Sequence, residues 1–144
     1  MAAFINYTLK SGDKEMDYDR VTDMLKDVWW SPGIKKTEII KGAQNSALLT
    51  GAFVSGGEQV GYARVISDKT RFAYILDVVV DSRYRKQGIG TAMINFILHH
   101  PELKDVYQWM LLTRDAHAVY QKTGFHSLST PADWMEIRYN RPDR

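Results

Sequence analysis

The stretch with the clearest chemical potential is a loop with two glycines between a strand-like run and a helix-like run, Arg85-Lys86-Gln87-Gly88-Ile89-Gly90-Thr91. Because the glycines carry no Cβ, a ligand can approach their main chain closely. Free N–H groups at the start of a helix, with the positive end of its dipole, form an anion site. Arg85 and Lys86 add cationic donors, and Thr91 adds a hydroxyl. The loop therefore predicts a site for a phosphate or pyrophosphate.

This loop belongs to neither of the two common nucleotide-binding motifs. The sequence contains no Gly-x-x-x-x-Gly-Lys-Ser/Thr pattern, which excludes a P-loop. The dinucleotide-binding fingerprint is excluded because its third glycine is missing. On the loop residues alone, a glycine turn that merely connects a strand to a helix remains an alternative.

A second stretch, Arg114–Phe125, helps to decide between a phosphate site and a glycine turn that only connects a strand to a helix. Ala116, Tyr120, Lys122, Gly124 and Phe125 match in order the pattern Ala-x-x-x-Tyr-x-Lys-x-Gly-Phe. Arg85, Gly88 and Gly90, which follow a Val-Val-Val-Asp strand end, match Arg/Gln-x-x-Gly-x-Gly/Ala. With both motifs the chain resembles the GNAT (Gcn5-related N-acetyltransferase) superfamily, and the order of its predicted strands and helices also fits the family fold along nearly the whole chain. The resemblance implies transfer of an acyl group from coenzyme A to an acceptor, most often an amine.

The resemblance also implies where coenzyme A binds. Its pyrophosphate is expected on the amides from Arg85 or Lys86 to Thr91, and its pantetheine arm along the backbone of Val78, Val79 and Val80. That arm needs a slot, so the strand ending near Thr113 is expected to diverge from Val80. Many relatives carry an Asn where Thr113 stands, and a threonine hydroxyl can replace only one of its bonds. Lys122, from the second motif, is grouped with the coenzyme A-binding residues.

In such enzymes the amine attacks the thioester directly, so no nucleophilic side chain is required. By resemblance, the N–H of Val79 or Val80 stabilises the oxyanion that develops. Tyr120 occupies the family position for the residue that protonates the departing thiolate, and a phenol with a pKa of about 10 is protonated at neutral pH. The alternative is a core tyrosine beside Phe125.

The general base is less clearly indicated by the sequence. Some relatives place a Glu on the fourth strand, and the corresponding position here is Tyr74. Asp77 is the only charged residue in that otherwise apolar strand, and burying a lone carboxylate is costly. Asp77 is therefore a candidate base, acting through a water, or a counter-ion for the acceptor's ammonium group. A structural aspartate bonded to neighbouring backbone is the equal alternative.

Aromatic residues mark the acceptor side. The family builds its acceptor cleft from the first two helices, their loop and the last strand pair, which places Trp30, Tyr74 and Trp134 as acceptor-binding candidates. Trp29 lies on the apolar helix stripe and is interpreted as core. Aromatic walls suit an apolar or cationic acceptor. A small amine, an aminoglycoside-like drug, an amino acid, or a protein N-terminus or lysine all remain open.

The elements that must position these residues follow from periodicity. The predicted strands are Ile5–Leu9, Ala47–Val54, Val60–Ser67, Phe72–Val80, Val106–Thr113 and a final pair, Phe125–Leu128 and Trp134–Tyr139. Helical spacing is found at Val21–Val28, after a Thr37 cap, at Ile89–Ile97 and at Ala116–Lys122. These elements give a mixed, mostly antiparallel sheet of six to seven strands with about four flanking helices. Together with the resemblance, which implies a splayed central strand pair, they predict an α/β (α+β) GNAT-like fold.

Length and composition indicate the number of domains and the class of protein. A chain of 144 residues fits one domain, 1–144, and its 44% hydrophobic residues are typical of a core-forming protein. No run approaches a membrane span and no secretion signal is visible, so we expect a soluble, cytoplasmic protein without a membrane partner. The absence of cysteine excludes disulfides and acyl-cysteine intermediates. No acidic or histidine cluster indicates a metal.

The sequence says less about binding partners than about the fold. The net charge of +2, spread along the chain, gives no reason to expect nucleic acid, and a small-molecule or peptide amine is the expected acceptor. A homodimer is left open. Two other functions are alternatives: a coenzyme A-binding sensor without catalysis, and a toxin-like acetyltransferase acting on aminoacyl-tRNA, for which a basic face would be required.

Overall fold

The computed structural model describes residues 5–142 and 144. Its strands are β1 (Tyr7–Ser11), β2 (Leu48–Val54), β3 (Gln59–Ser67), β4 (Phe72–Val80) and β5 (Gln108–Leu111). Its α-helices are α1 (Tyr18–Leu25), α2 (Lys36–Gln44), α3 (Ile89–Leu98) and α4 (His117–Gln121). Short 3-10 turns lie at Asp13–Glu15, Ser82–Tyr84, Pro101–Leu103 and Pro131–Asp133. No helix in these ranges has the length and apolar character needed to cross a bilayer.

The strands form one sheet in the order β1-β2-β3-β4-β5. The first four pair antiparallel, and β4 pairs with β5 in parallel through the α3 crossover. Pairing between β4 and β5 stops at Ile75 and Leu111, whereas β4 continues to Val80 along β3. The predicted fold class, including the splayed central strand pair, is confirmed.

Helices cover both faces of the sheet. On one face, Val21 and Leu25 of α1 and Ile39 of α2 pack on Leu49 and Tyr62. On the other face the apolar stripe of α3 is buried against the sheet. Consequently β2 is buried from Leu48 to Phe53, because its alternating side chains enter two cores. α1 begins where the carboxylate of Asp17 accepts the N–H groups of Asp19 and Arg20, a standard N-cap arrangement.

The prediction of a final strand pair is wrong. Phe125–Leu128 and Trp134–Tyr139 form no strand, and the sheet has five strands rather than six to seven. The alternating apolar residues of 134–139 indicate a half-buried strand, yet Met135, Ile137 and Tyr139 are almost fully exposed. Their apolar side has no surface to cover within the described chain. Thr37, predicted as a cap, lies inside α2, which starts one residue earlier.

Candidate functional site

A notch opens where β4 and β5 part. Beyond Ile75 the edge of β4 that faces away from β3 has no strand partner among the described residues. At the same point the β3–β4 register shifts between Tyr62 and Arg64, which places one extra residue on β4. Such a bulge increases local twist and bends the strand. The main chain of Leu76–Val80 is thereby left free to bind an extended ligand.

The bulge is built around Asp77. Its φ of 56° lies in the left-handed region, where aspartate is tolerated better than most residues. Arg64 Nε donates to Asp77 Oδ2 at 2.7 Å, and both side chains are largely buried. Arg64 Nη1 also lies 3.4 Å from the Gly42 carbonyl oxygen of α2. Asp77 therefore has a guanidinium partner rather than the backbone partner considered from the sequence. Its roles as base and as counter-ion stay predictions.

The glycine loop continues directly from this strand. Arg85 Nε donates to the Val80 carbonyl at 3.1 Å, and Lys86 and Gly88 have φ values of 61° and 83°. Gly88 forms the N-cap of α3 in left-handed conformation. None of the N–H groups in this fully described loop, Arg85–Thr91, donates to a turn or cap acceptor, and the first turn of α3 has no intrahelical acceptors of its own.

The space in front of this loop is open. A Cβ built on Gly88 would meet no atom within 4 Å, and one on Gly90 would only touch Val80 at 3.8 Å. Gly88 is therefore required by its backbone conformation, not by crowding within the chain. Free amides, an open approach and the positive end of α3 together form a surface suited to a phosphate group. Within the loop, Gln87 Oε1 is buried without a hydrogen-bond partner.

Asp81 anchors the start of the loop, a role that sequence reasoning missed. Its carboxylate accepts from the backbone N–H and the guanidinium of Arg83 and from the guanidinium of Arg20. The hydrogen bonds from Arg83 contribute most to holding the pKa of Asp81 well below its usual range. The Asp81–Arg83 spacing after a strand could have suggested a local turn. Arg20, on α1, could not have been found from local sequence.

A cavity of about 320 Å³ lies at the mouth of the notch. β4 contributes Tyr74, Asp77 and Val78, and the chain after β5 contributes Thr113 and Tyr120. Trp29 and Trp30, from the α1–α2 connection, form a further wall. The structure thus brings both predicted catalytic residues together with two of the three predicted acceptor residues.

Tyr120 stands on α4, on the β5 side of this cavity. Its ring packs edge-on against Phe125 with centroids 6.1 Å apart. Burial, followed by the charge of Asp115, raises the pKa of the Tyr120 phenol. The hydroxyl is therefore protonated at neutral pH and can act as a proton donor.

The aromatic wall differs in part from the sequence interpretation. Trp29, interpreted as core, lines the cavity beside Trp30, and the two rings are 5.6 Å apart in an edge-on arrangement. Arg114 stacks on Trp29 with its guanidinium 3.9 Å from the ring centroid. Trp30 Nε1 is buried without an acceptor. Trp134 does not reach this cavity; it lies beside the outer edge of β5, because the strand pair expected to carry it is not formed.

Two further predicted residues lie on either side of α4 in the sequence. Thr113 lines the cavity, and its Oγ1 accepts the N–H of Ala116 at 3.1 Å, just before the helix. Lys122 is the exposed C-cap residue of α4 and does not line the cavity. Burial and then the charge of Asp77 raise the pKa of Tyr74, which also lines the cavity.

The family model described as acetyltransferase (GNAT) domain matches residues 49–127, more than half of the chain. That range contains the notch, the glycine loop and Tyr120. No curated protein shows a significant sequence match.

Solved structures are similar over almost the whole chain. A protein from Xanthomonas campestris pv. campestris, described as belonging to the GNAT family, is 30% identical with a TM-score of 0.88, over 95% of this chain and 96% of that one. A predicted acetyltransferase from Clostridium acetobutylicum with acetyl-CoA is 17% identical with a TM-score of 0.70, over 92% and 96%. Glucosamine-6-phosphate N-acetyltransferase from Arabidopsis thaliana is 17% identical with a TM-score of 0.68, over 93% and 98%. These last two show likeness of fold.

Proposed function

We propose that this chain, which belongs to the GNAT family of acetyltransferases, transfers the acetyl group of acetyl-CoA directly to an amine acceptor. The observation that carries the proposal is the continuity of two free backbone surfaces. The unpaired edge of Leu76–Val80 leads directly into the free amides at the start of α3. One extended ligand with an anionic group at one end fits both surfaces, as acetyl-CoA would.

The proposed binding mode assigns a role to each segment. The pantetheine amides bond to the edge of β4 at Val78–Val80, as an added strand would. The diphosphate is bound by the amides of Ile89, Gly90 and Thr91, with Arg85 and Lys86 supplying positive charge. The structural relative from Clostridium acetobutylicum is described with acetyl-CoA, which supports this choice of ligand.

The transfer is a single displacement through a tetrahedral intermediate. The neutral amine nitrogen attacks the thioester carbonyl carbon, and the carbonyl electrons move to an oxygen stabilised by the N–H of Val79 or Val80. Collapse of the intermediate breaks the carbon–sulfur bond. Tyr120 gives its proton to the departing thiolate, and the proton lost by the amine passes to water near Asp77. Solvent then returns a proton to Tyr120.

The cavity walls favour an acceptor with a cationic or apolar body. Trp29, Trp30 and Tyr74 offer aromatic surface, while Asp77 supplies negative charge beside it. The Asp77 carboxylate, already paired with Arg64 through one oxygen, can hold an ammonium group with the other. The proposed substrates are accordingly small-molecule or peptide amines.

Two assays on the purified protein test this function. Titration calorimetry should show acetyl-CoA binding that Arg85→Glu and Gly88→Val weaken strongly, while the exposed control Lys104→Glu retains it. Release of free thiol across a panel of amines should identify at least one acceptor. Absence of acetyl-CoA binding in the wild-type protein would refute the proposal.

A coenzyme A sensor without catalysis is the second candidate. The observations that favour it are the Arg64 partner of Asp77 and the absence of a carboxylate at Tyr74. This alternative predicts the same calorimetric binding but no thiol release above the uncatalysed rate with any amine. The two assays therefore separate the candidates.

A further inference from the structure

Arg64 is a largely buried cation that lies next to the cavity without lining it. It stands on β3 directly after the register shift that places the extra residue on β4. Its side chain is 16% exposed, and its Nε donates to Asp77 Oδ2 at 2.7 Å. Asp77 lines the cavity of about 320 Å³, whereas Arg64 is not part of its wall. We therefore expect any effect of Arg64 on a bound acceptor to pass through Asp77.

Helix α2 fixes the position of the Arg64 guanidinium from the other side. A Cβ built on Gly42 would lie 3.2 Å from Arg64 Cζ and 3.4 Å from both terminal nitrogens. Arg64 Nη1 also lies 3.4 Å from the Gly42 carbonyl oxygen and 3.4 Å from Ser46 Oγ. Carbonyl groups in the last turn of a helix attract cations, so this end of α2 suits a guanidinium. The planar group thus packs directly on the backbone of Gly42.

This contact explains why a glycine stands at position 42. Gly42 lies inside α2, where glycine lowers helix stability relative to alanine. It is not one of the glycines with a positive φ, so its backbone conformation does not require glycine. A side chain at this position would press on the guanidinium. Gly42 therefore gives up helix stability and leaves room for Arg64.

The contact with Arg64 orients the Asp77 carboxylate. A φ of 56° is sparsely populated by residues other than glycine, and such a conformation persists only where surrounding contacts hold it. Arg64 occupies Oδ2, and the described residues donate no hydrogen bond to Oδ1. A carboxylate oxygen without a partner at a cavity wall can accept a hydrogen bond from a ligand or a water.

We propose that Arg64 is a positioning residue for the transfer reaction: packed on Gly42, it holds Asp77 so that the second carboxylate oxygen faces the acceptor amine. The inference rests on the proposed function, because it assigns Arg64 a part in that reaction. Asp77 orients the water that takes the proton lost by the amine, and Arg64 itself forms and breaks no bond. A guanidinium bonds the carboxylate through Nε and faces α2 through Nη1 at the same time, which a lysine ammonium cannot do.

Arg64→Lys tests the positioning role, because it keeps the charge and removes the planar group. With an amine identified by thiol release, we expect kcat/KM for that amine to fall roughly tenfold or more. Acetyl-CoA affinity, measured by calorimetry, should stay unchanged. Arg71→Lys, at an exposed arginine just before β4, is the matched control and should retain full activity. In Arg64→Ala protein, added ethylguanidinium should restore part of the lost rate, and in Asp77→Ala protein it should restore none.

Gly42→Ala separates positioning from stability. The added Cβ displaces the guanidinium, while alanine favours the helix. We therefore expect kcat/KM for the amine to fall several-fold while the melting temperature changes little. Lys41→Ala, at the exposed preceding residue of α2, is the control and should retain full activity. Circular dichroism confirms that each variant is folded.

The possible failures are distinguishable. Wild-type protein that releases no thiol with any amine would refute the proposed function and this inference together. An active wild-type protein whose kcat/KM for the amine is unchanged in Arg64→Lys or in Gly42→Ala would overturn the inference alone. An equal loss of acetyl-CoA affinity in Arg64→Lys would also overturn it, because a general distortion of the notch would then explain the lower rate.

Discussion

The two halves of β4 behave differently although they belong to one strand. Phe72–Ile75 pairs with β3 on one side and β5 on the other, whereas Leu76–Val80 pairs only with β3. Asp77, with its left-handed backbone and its bond to Arg64, separates the halves. The first half of β4 is paired with a strand on each side and forms part of the sheet interior. The second half keeps unused hydrogen-bonding groups, and for this reason it can bind a ligand that the first half cannot.

The largest effect is expected from Gly88→Val. A β-branched residue at a φ of 83° costs on the order of 1–3 kcal/mol and fills the open space in front of the loop. We expect acetyl-CoA affinity, measured by calorimetry, to fall by roughly 100-fold or more, since each 1.4 kcal/mol is about tenfold. Gly56→Val imposes similar strain in the β2–β3 turn, where φ is 96°. Equal loss of affinity in both variants would show that the glycine loop has no specific role in binding acetyl-CoA.

Tyr120→Phe should come next. Removal of a positioned general acid typically costs about 10²–10⁴-fold in rate, so we expect kcat for thiol release to fall by roughly 100-fold with little change in KM. The packing on Phe125 is retained, so stability should hold. Tyr107→Phe, at an exposed tyrosine just before β5, is the matched control. An unchanged kcat would remove Tyr120 from the proposed mechanism.

Asp77→Asn examines the boundary between the two halves. Asparagine tolerates the left-handed backbone and can still accept a bond from Arg64, but it carries no charge. We expect kcat to fall about tenfold or more and the melting temperature to fall by a few degrees, because Arg64 loses its counter-charge. Thiol release and thermal unfolding measure the two effects. Full activity in Asp77→Asn would leave Asp77 with a purely structural role at the bulge.

The smallest effect concerns acid stability. Bonds from Arg83 lower the pKa of Asp81, and bonds from the amides of Arg71, Thr70 and Phe72 lower that of Asp68. A lowered carboxyl pKa stabilises the fold above the unfolded value, about 3.9, and this contribution is lost as pH falls below it. Asp81→Asn and Asp68→Asn should both flatten the decline of melting temperature below about pH 4.

These two aspartate variants should differ in ligand binding. Only Asp81 fixes the start of the glycine loop, so only Asp81→Asn should also weaken acetyl-CoA binding at neutral pH. Asp68 lies in the turn before β4, at the opposite end of that strand. Equal acetyl-CoA affinity in the two variants would show that the Asp81 contacts do not position the loop.

Local patterns predicted most of the elements and part of the site. β4 was predicted with its observed bounds, because a continuous apolar run between turn residues leaves little ambiguity. The glycine loop was found because its conformational needs restrict residue type. Arg64, Arg20 and Trp29 were missed as site residues, since their contacts join segments far apart in sequence and no local period reports them.

The wrong prediction of a final strand pair has a physical cause. The alternation of Trp134–Tyr139 reports only that one side of the segment needs cover. It does not say which surface provides that cover. The predicted strand was added to the sheet, whereas the structure leaves the segment outside it.

The central claim is that acetyl-CoA binds along the free half of β4 and on the glycine loop. Hydrogen exchange of individual amides, measured by NMR with and without acetyl-CoA, tests it most directly. We expect acetyl-CoA to slow exchange at Val79 or Val80 and at Ile89–Thr91. Exchange within Phe72–Ile75, whose groups are already paired, should stay unchanged. Unaltered exchange in both halves of β4 and in the glycine loop at saturating acetyl-CoA would contradict it.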